Sequence, residues 1–542
     1  MHKGKRLHPL WLVCIWLLYA CFSGWNLGHY ALWDDEANTA LFAQSVWETG
    51  DTSAWRGDNL IAFQNGAELN ESWKARYVSP LQYYVAAPFL GWLGATAFAA
   101  RLPFWMVGML AFALLLYRLF QQEASPFVVW LWAIGWFGTV SLTLYIRNAR
   151  YYSLTMLFSL FFVDLWIFSP KERRYKHALL GIASALTFIS NYLNGVALVA
   201  TFLVRQLFAR DGRLLLKRCR FWCEFLWPHL LISLPVALIW NPLDKKVVSH
   251  GDTWQERWAL VLWNMRDFNA AAFAPIIVLL VGVFWELLRA SATRNSAPAE
   301  PRFSFLKDGL LTFATYCLVI ALLSPQSVSE TWVAGPRKWV ADVRYLVPLI
   351  PLGILWCVEM SRWVGRRAPW LGVALMFLLT WTSFGYGVFH AKVWDRFYPM
   401  AYLQEIIGQY PDPYRVATEA LNRLTRPGEL VAVSPDKAIY PILFHSAQLR
   451  VMHQLLTEPR EDVPRWHFVK GNDLPEWIVT FCAAPSFLRR YLTRSPYRIA
   501  EVLDIECSDQ YRPEIFWRSF TPPARAAAPN HGIVIYTRDL TQ

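Results

Sequence analysis

PLWLVCIWLLYACFSGWNLGHYALWDDE, residues 9–36, is the stretch that decides the fold. It begins as an apolar run behind the basic segment MHKGKRLH and ends in three consecutive carboxylates, Asp34, Asp35 and Glu36. A run of this length crosses a bilayer as a helix. Its basic flank also fits a secretory signal peptide, but Tyr19 is bulky where a cleavage site wants a small residue, which favours an uncleaved helix. Ten more apolar runs follow, at about 102–119, 127–145, 152–169, 177–191, 195–209, 222–240, 271–288, 309–323, 345–361 and 369–389. Composition agrees: 55% of residues are hydrophobic, 17% are charged, and mean hydropathy is +0.24. Soluble domains carry about a quarter charged residues. A soluble enzyme, a disordered chain and a disulfide scaffold are excluded. The reading is a polytopic α-helical membrane protein of about eleven spans, with a membrane domain over 1–389 and an external α/β domain over 390–542.

One further run, 80–98 (SPLQYYVAAPFLGWLGATA), either crosses or lies in the outer interface. Basic residues concentrate in cytoplasmic segments. With 80–98 not crossing, the cytoplasmic segments 1–8, 118–126, 171–176, 205–220, 289–307 and 362–367 hold 21 Lys and Arg in 64 residues, against 13 in 135 for the external loops. If 80–98 crosses, KERRYK and RLLLKRCR both fall outside. The odd count leaves 390–542 external. The net charge of +12 then belongs to segments facing anionic lipid, and no nucleic-acid partner is expected.

The tail changes character. ELVAVS, IVTF, RIAEVLDI and GIVIYT read as short strands, with helices expected at about 413–426 and 484–493. Cys482 and Cys507 share this external module, where a disulfide is permitted but sequence alone does not decide pairing. The other six cysteines lie in or beside spans and read as packing residues.

No GxxxxGK[ST], GxGxxG after a strand, HExxH or CxxC pair is present, so nucleotide hydrolysis, dinucleotide redox work and thiolate zinc sites are unsupported. The first external loop, 29–101, carries eight carboxylates against Arg56, Lys74, Arg76 and Arg101. Its triplet Asp34, Asp35 and Glu36 precedes an amphipathic helix pattern (Ala37, Leu41, Phe42, Val46). Two readings stand: the carboxylates cap that helix and meet its dipole, or they supply a general base or metal ligand where head groups meet water. The turn YIRNARYY puts Arg147 and Arg150 at the outer interface, and ADVRYLVPLIP puts Arg344 at the mouth of a span, behind Arg337 and Lys338. These cations either anchor head groups or bind a phosphate. Of the carboxylates in or at the edge of spans (Asp164, Glu224, Glu286, Asp308 and Glu359), four lie near cytoplasmic Lys or Arg and read as paired, while Asp164 stays open.

The order of these pieces resembles the bacterial multi-spanning lipid-phosphosugar glycosyltransferases of the GT-C fold, the superfamily of protein O-mannosyltransferases and the lipid A aminoarabinose transferase. WDDEANTALF matches the early Asp-Glu pair of that family at Asp35 and Glu36. SPLQYYV matches its PPLYYYL-like interfacial helix, AARLPFWMVG its ARLPSALFG, IRNARYYSL its SREARMYAL, and RYLVPLIP its RYLLPLLP. The likeness covers residues 10–390, with a looser match over the tail. Two departures stand out. Asn148 replaces a frequent Glu, and the Lys before the Pro-Pro of the aminoarabinose enzymes has no counterpart, with Lys74 and Arg76 nearby as substitutes.

The resemblance implies a transferase that moves a sugar from a polyprenyl-phosphate carrier to an envelope acceptor (a lipid, a glycan or a protein) at the external, periplasmic face of a bacterial inner membrane. It implies Asp35 as base, Glu36 as its positioner, Asp34 beside them, and Arg344, Arg150 and Arg147, with Lys74 and Arg76, on the donor phosphate. A divalent cation on Asp35 and Glu36 is left open, since metal dependence varies in the superfamily. Membrane lipids are the other expected partners. A multi-spanning transporter or flippase of envelope lipids is the alternative, but it should show matching halves, and none is evident. A non-catalytic scaffold is the third.

Overall fold

The computed structural model describes residues 8–62, 66, 68–168, 175–208, 210–242, 253–271, 278, 281–282, 284, 304–324, 343–366, 368–384, 397–408, 411–446, 448–452, 461–468, 473–481, 496–505 and 532–539. Outside them lie most of the expected span 271–288, residues 171–174 of KERRYK, Glu286, Arg337, Lys338, Cys482, Cys507 and the helix expected at 484–493.

Helix α1 (Pro9–Gly24) enters and leaves before the carboxylates, which open helix α2 (Asp34–Thr49). A short hairpin, β1 (Trp55–Arg56) with β2 (Asn59–Leu60), and helix α3 (Leu81–Leu93) complete the first loop. Helix α3 has 13 residues, about 20 Å at 1.5 Å per residue, which is too short for a hydrocarbon core of about 30 Å. It lies along α2 instead, where Gly91 allows contact: an added Cβ would sit 2.1 Å from the Trp47 indole. Its other side leaves Trp92 exposed, as suits an interfacial element.

Helix α4 (Ala97–Gln121), capped by Thr96 through its hydroxyl to the Ala99 N–H, Cys219–Trp240 and Arg344–Val364 are each long and apolar enough to cross. Among the described residues six further apolar helices are shorter, including α1 and α8 (Lys176–Ser190), and the eleven expected runs do not all appear there as single full-length helices. The run 127–145 is two helices, α5 (Pro126–Gly138) and α6 (Val140–Arg147), bent by 64° at Thr139, whose hydroxyl turns back to the Gly135 carbonyl. Helix α7 (Tyr152–Val163) passes into a π-helical turn, Asp164–Phe168. There Asp164, left open by the sequence, pairs with Arg118. Glu224 pairs with Arg220 and His177, and Glu359 with Arg362. Cys219–Trp240 leaves Leu231 and Leu238 exposed at 68% and 74%, a surface that suits lipid rather than water.

The tail forms a five-stranded sheet in the order β4-β3-β5-β7-β6. Strand β3 (Leu430–Ser434) runs parallel to β4 (Arg450–Met452) and β5 (Trp477–Phe481), while β7 (Ile533–Arg538) is antiparallel to β5 and to β6 (Tyr497–Leu503). The four expected strands are present; β4 has three residues, too few to show a pattern. The helix expected at 413–426 spans Pro413–Leu424.

The apolar core does not divide at residue 390. One buried cluster joins Ala37, Leu41 and Phe42 of α2 to Ile442, Leu443 and Val433 of the tail. For this reason α2 is buried throughout residues 34–46 rather than on one face, as its amphipathic pattern suggests: α3 covers one side and helix Ile439–His445 another.

Candidate active site

The three carboxylates occupy the first turn of α2, where the helix dipole favours negative charge. All are buried: Asp34 is 8% exposed, Asp35 4% and Glu36 1%. Burial of this kind demands partners. Asp34 Oδ1 accepts the Asp35 amide at 2.7 Å, a contact local to the helix start.

Glu36 is clamped. Arg101 of α4 donates Nε to Oε1 at 2.9 Å and Nη2 to Oε2 at 2.6 Å, and the Ala149 N–H donates to Oε1 at 2.7 Å. The remaining Arg101 donors reach the Leu27, Tyr30 and Ala31 carbonyls. Glu36 thereby fastens the turn between α6 and α7 onto α2, and that turn carries Arg150.

Asp35 sits between two arginines. Arg150 Nη2 lies 3.0 Å from Oδ1, and Arg344 Nη1 lies 2.7 Å from Oδ2. Arg150 also reaches the Asp35 carbonyl and the Thr39 hydroxyl, at 3.3 and 3.2 Å. Burial works against the charge on Arg150, but Asp35 and the Tyr152 and Tyr151 phenols more than restore it, holding the group above the usual arginine range. Arg344 opens the 3₁₀ turn Val343–Leu349 that leads into Ile350–Val364 and stacks over its neighbour Tyr345. Three segments far apart in sequence thus converge on one carboxylate.

The other expected cations have other partners. Arg147 donates to the Ser23, Trp25 and Asn26 carbonyls, closing the C-terminal end of α1, and faces the Tyr402 ring at 5.9 Å. Lys74 and Arg76 pair with Asp51, each at 2.7 Å, and Arg76 stacks on Trp240 at 4.9 Å. Partial burial pushes the Asp51 carboxyl up, but the hydrogen bonds from Lys74 and Arg76 outweigh it and bring the group down to about 2. These two cations make a second cluster of the first loop. In the sequence Arg101 of AARLP is one loop charge among four, and its pairing with Glu36 across 65 residues leaves no local signal there.

Among the described residues, no three His, Cys, Asp or Glu side chains gather as a cation requires. Both oxygens of Asp35 and of Glu36 already face guanidinium groups. A divalent cation on this pair would have to displace those guanidinium groups. What the arrangement does fit is an acid-base carboxylate beside two cations able to take a phosphate.

No protein-family model and no curated protein matches the chain. Solved structures that resemble it include ArnT from Cupriavidus metallidurans in the apo state, at 13% identity and TM-score 0.49 over 97% of this chain and 98% of that one. The same protein bound to undecaprenyl phosphate gives 14% and 0.47 over 98% of each chain. The Archaeoglobus fulgidus oligosaccharyltransferase, in complex with Zn and sulfate, gives 10% and 0.41 over 87% of this chain and 68% of that one. All are GT-C glycosyltransferases, the group whose motifs the sequence resembles. At these identities and scores the likeness carries no argument about the reaction.

Proposed function

We propose that this protein is an integral-membrane glycosyltransferase that moves a sugar from a polyprenyl-phosphate carrier to a hydroxyl of an envelope acceptor, at the external face of the membrane. The observation that carries the reading is the buried Asp35 held between Arg150 and Arg344 at the start of α2. The sugar arrives joined to a lipid phosphate. The acceptor oxygen attacks the anomeric carbon while the carbon–oxygen bond to phosphate breaks. The bond's electron pair leaves with the polyprenyl phosphate, and the acceptor's proton passes to Asp35. This is a single displacement, with inversion at the anomeric carbon.

On this reading the ion pairs bear on the order of events. A carboxylate bracketed by two guanidinium groups is a poor base, because the cations favour its charged form. A phosphate competes for those same guanidinium groups. Donor binding would draw Arg150 and Arg344 away, neutralise the carrier phosphate and leave Asp35 basic enough to take a proton. Where water is excluded, such charge stabilisation is typically worth a factor of about 10² to 10³ per donor group removed.

The test is mass spectrometry of envelope lipids and glycans from a strain lacking the protein. A glycosyltransferase predicts one class of glycosylated species missing and restored by the wild-type gene. An unchanged glycan profile, with accumulated or mislocalised lipid instead, would favour the transporter reading.

A further inference from the structure

The strip between α1 and α2, residues 29–33, has no helix or strand of its own, yet Tyr30 to Trp33 are buried. Buried backbone groups need partners, and this strip leads directly into Asp34 and Asp35. Its carbonyls are served partly from the membrane side: Arg101 takes the Tyr30 and Ala31 oxygens. Its amides are served from the tail. The Ala31 N–H donates to Asp412 Oδ2 at 3.1 Å, and the Leu32 N–H donates to His445 Nε2 at 3.4 Å. Arg415, three residues past Asp412, reaches the His29 carbonyl at 3.2 Å.

We infer that the α/β domain is a working part of the active site, with Asp412 and His445 as positioning residues that hold the backbone leading into Asp35. The inference rests on the role proposed for Asp35. Each residue is suited to the task. Asp412 is the N-cap of helix Pro413–Leu424 and spends its other oxygen on the Arg415 amide at 2.9 Å, so its carboxylate is fixed by its own helix. His445 ends helix Ile439–His445, the element that packs on α2. Burial, with Arg101 and Arg415 nearby, pushes its imidazole down to about 4; the ring is then neutral and Nε2 can accept. Further along the loop, Asn59 is tied to β4 by hydrogen bonds with the Leu449 carbonyl and the Val451 amide, at 2.9 and 2.8 Å. The shared core and these bonds join the first loop to the domain. Arg150 and Arg344 stand on other elements, and the domain's hydrogen bonds go to the strip that leads into the carboxylate.

The experiment uses the full chain in lipid nanodiscs, with three readouts. Amide hydrogen exchange is followed over residues 29–42, affinity is measured for a polyprenyl monophosphate as probe, and the missing envelope glycoform is scored on complementation. In His445→Leu and Asp412→Ala, exchange at Ala31, Leu32 and the first turn of α2 should rise about tenfold, the loss of one buried hydrogen bond. Phosphate affinity should stay within about twofold while product falls about tenfold. His445→Gln, whose amide oxygen can accept the Leu32 N–H, should recover both exchange and product. Arg423→Ala removes an exposed ion pair to Glu501 within the same domain and should change none of the readouts. Should Asp412→Ala lose its helix and fail to fold, His445→Leu and its Gln rescue carry the test alone. Unchanged exchange in the His445 variants overturns the inference whatever reaction the protein catalyses. Faster exchange with full product overturns the positioning role. A wild-type gene that restores no glycoform counts against the glycosyltransferase reading and leaves the exchange test standing.

Discussion

Asp35 and Glu36 are adjacent in the chain, yet their partners give them separate work. Glu36 faces one arginine in a bidentate pair and one amide, a closed arrangement with no room for a substrate atom. Asp35 faces two arginines from different segments, either of which a phosphate can claim. Sequence could pick out Asp35, Arg150 and Arg344 because each sits in a recognisable segment. It could not sort them from Arg147, since only the fold shows that Arg147 is used on the carbonyls ending α1. Two substitutions separate the roles. Arg344→Ala should weaken donor binding and cut turnover by about 10², with Lys rescuing only in part, because a planar fork is replaced by a point charge; normal donor affinity and rate in Arg344→Ala would reduce it to a membrane anchor. Arg101→Ala should act through stability. It leaves Glu36 buried without its cation, a loss of about 3–5 kcal/mol for a buried pair broken on one side, seen as a lower thermal midpoint in detergent. An Arg101→Ala protein as stable as wild type would contradict the clamp.

Elements were legible where their pattern was long and local. The α4 run and the four longer strands show period and punctuation in the sequence, and all appear. The run 127–145 reads as one span because hydropathy does not register the bend at Thr139, which comes from a hydroxyl turning onto its own helix. Helix α2 shows an amphipathic pattern that tertiary packing overrides, since α3 and helix Ile439–His445 cover it from two sides. The tail's own elements carry a pH signature. Burial lowers both His445 and His467 to about 4 in the folded state, against an ordinary value of about 6.5. Between those values the unfolded chain binds protons that the folded chain refuses. Stability from the neutral rings is therefore complete above about pH 6.5 and is lost as pH falls toward 4, at up to about 1.4 kcal/mol per pH unit for each ring. Thermal midpoints from pH 7 to pH 4.5 should fall less steeply in His445→Gln than in wild type, with His467 still contributing. Parallel slopes would mean that His445 takes its proton as readily in the folded domain as in the unfolded chain.

At the scale of the whole molecule, a site at the outer surface requires that the first loop and the tail share one side of the membrane, and the core joining Leu41 to Leu443 supports that arrangement. The charge distribution predicts the side. A cysteine placed at 430 should react with an impermeant reagent in intact cells. One at 173 should be protected until the inner face is opened, and the reverse pattern would invert the topology. For the proposed reaction the sequence names neither sugar nor acceptor, because specificity is set by side chains gathered from distant segments rather than by short motifs. The carboxylate proposed as base, Asp35, stood out in the sequence, and the central claim rests on it most directly. Turnover of Asp35→Asn should be compared with Asp34→Asn at matched protein level, scored by the envelope species the wild-type gene restores. Asp35→Asn keeps size and hydrogen bonding but cannot take the acceptor's proton, so its rate should fall by about 10² to 10⁴. Asp34→Asn should cost about 1 kcal/mol of local stability at most and keep most of the activity. A folded Asp35→Asn protein with wild-type turnover would contradict the account.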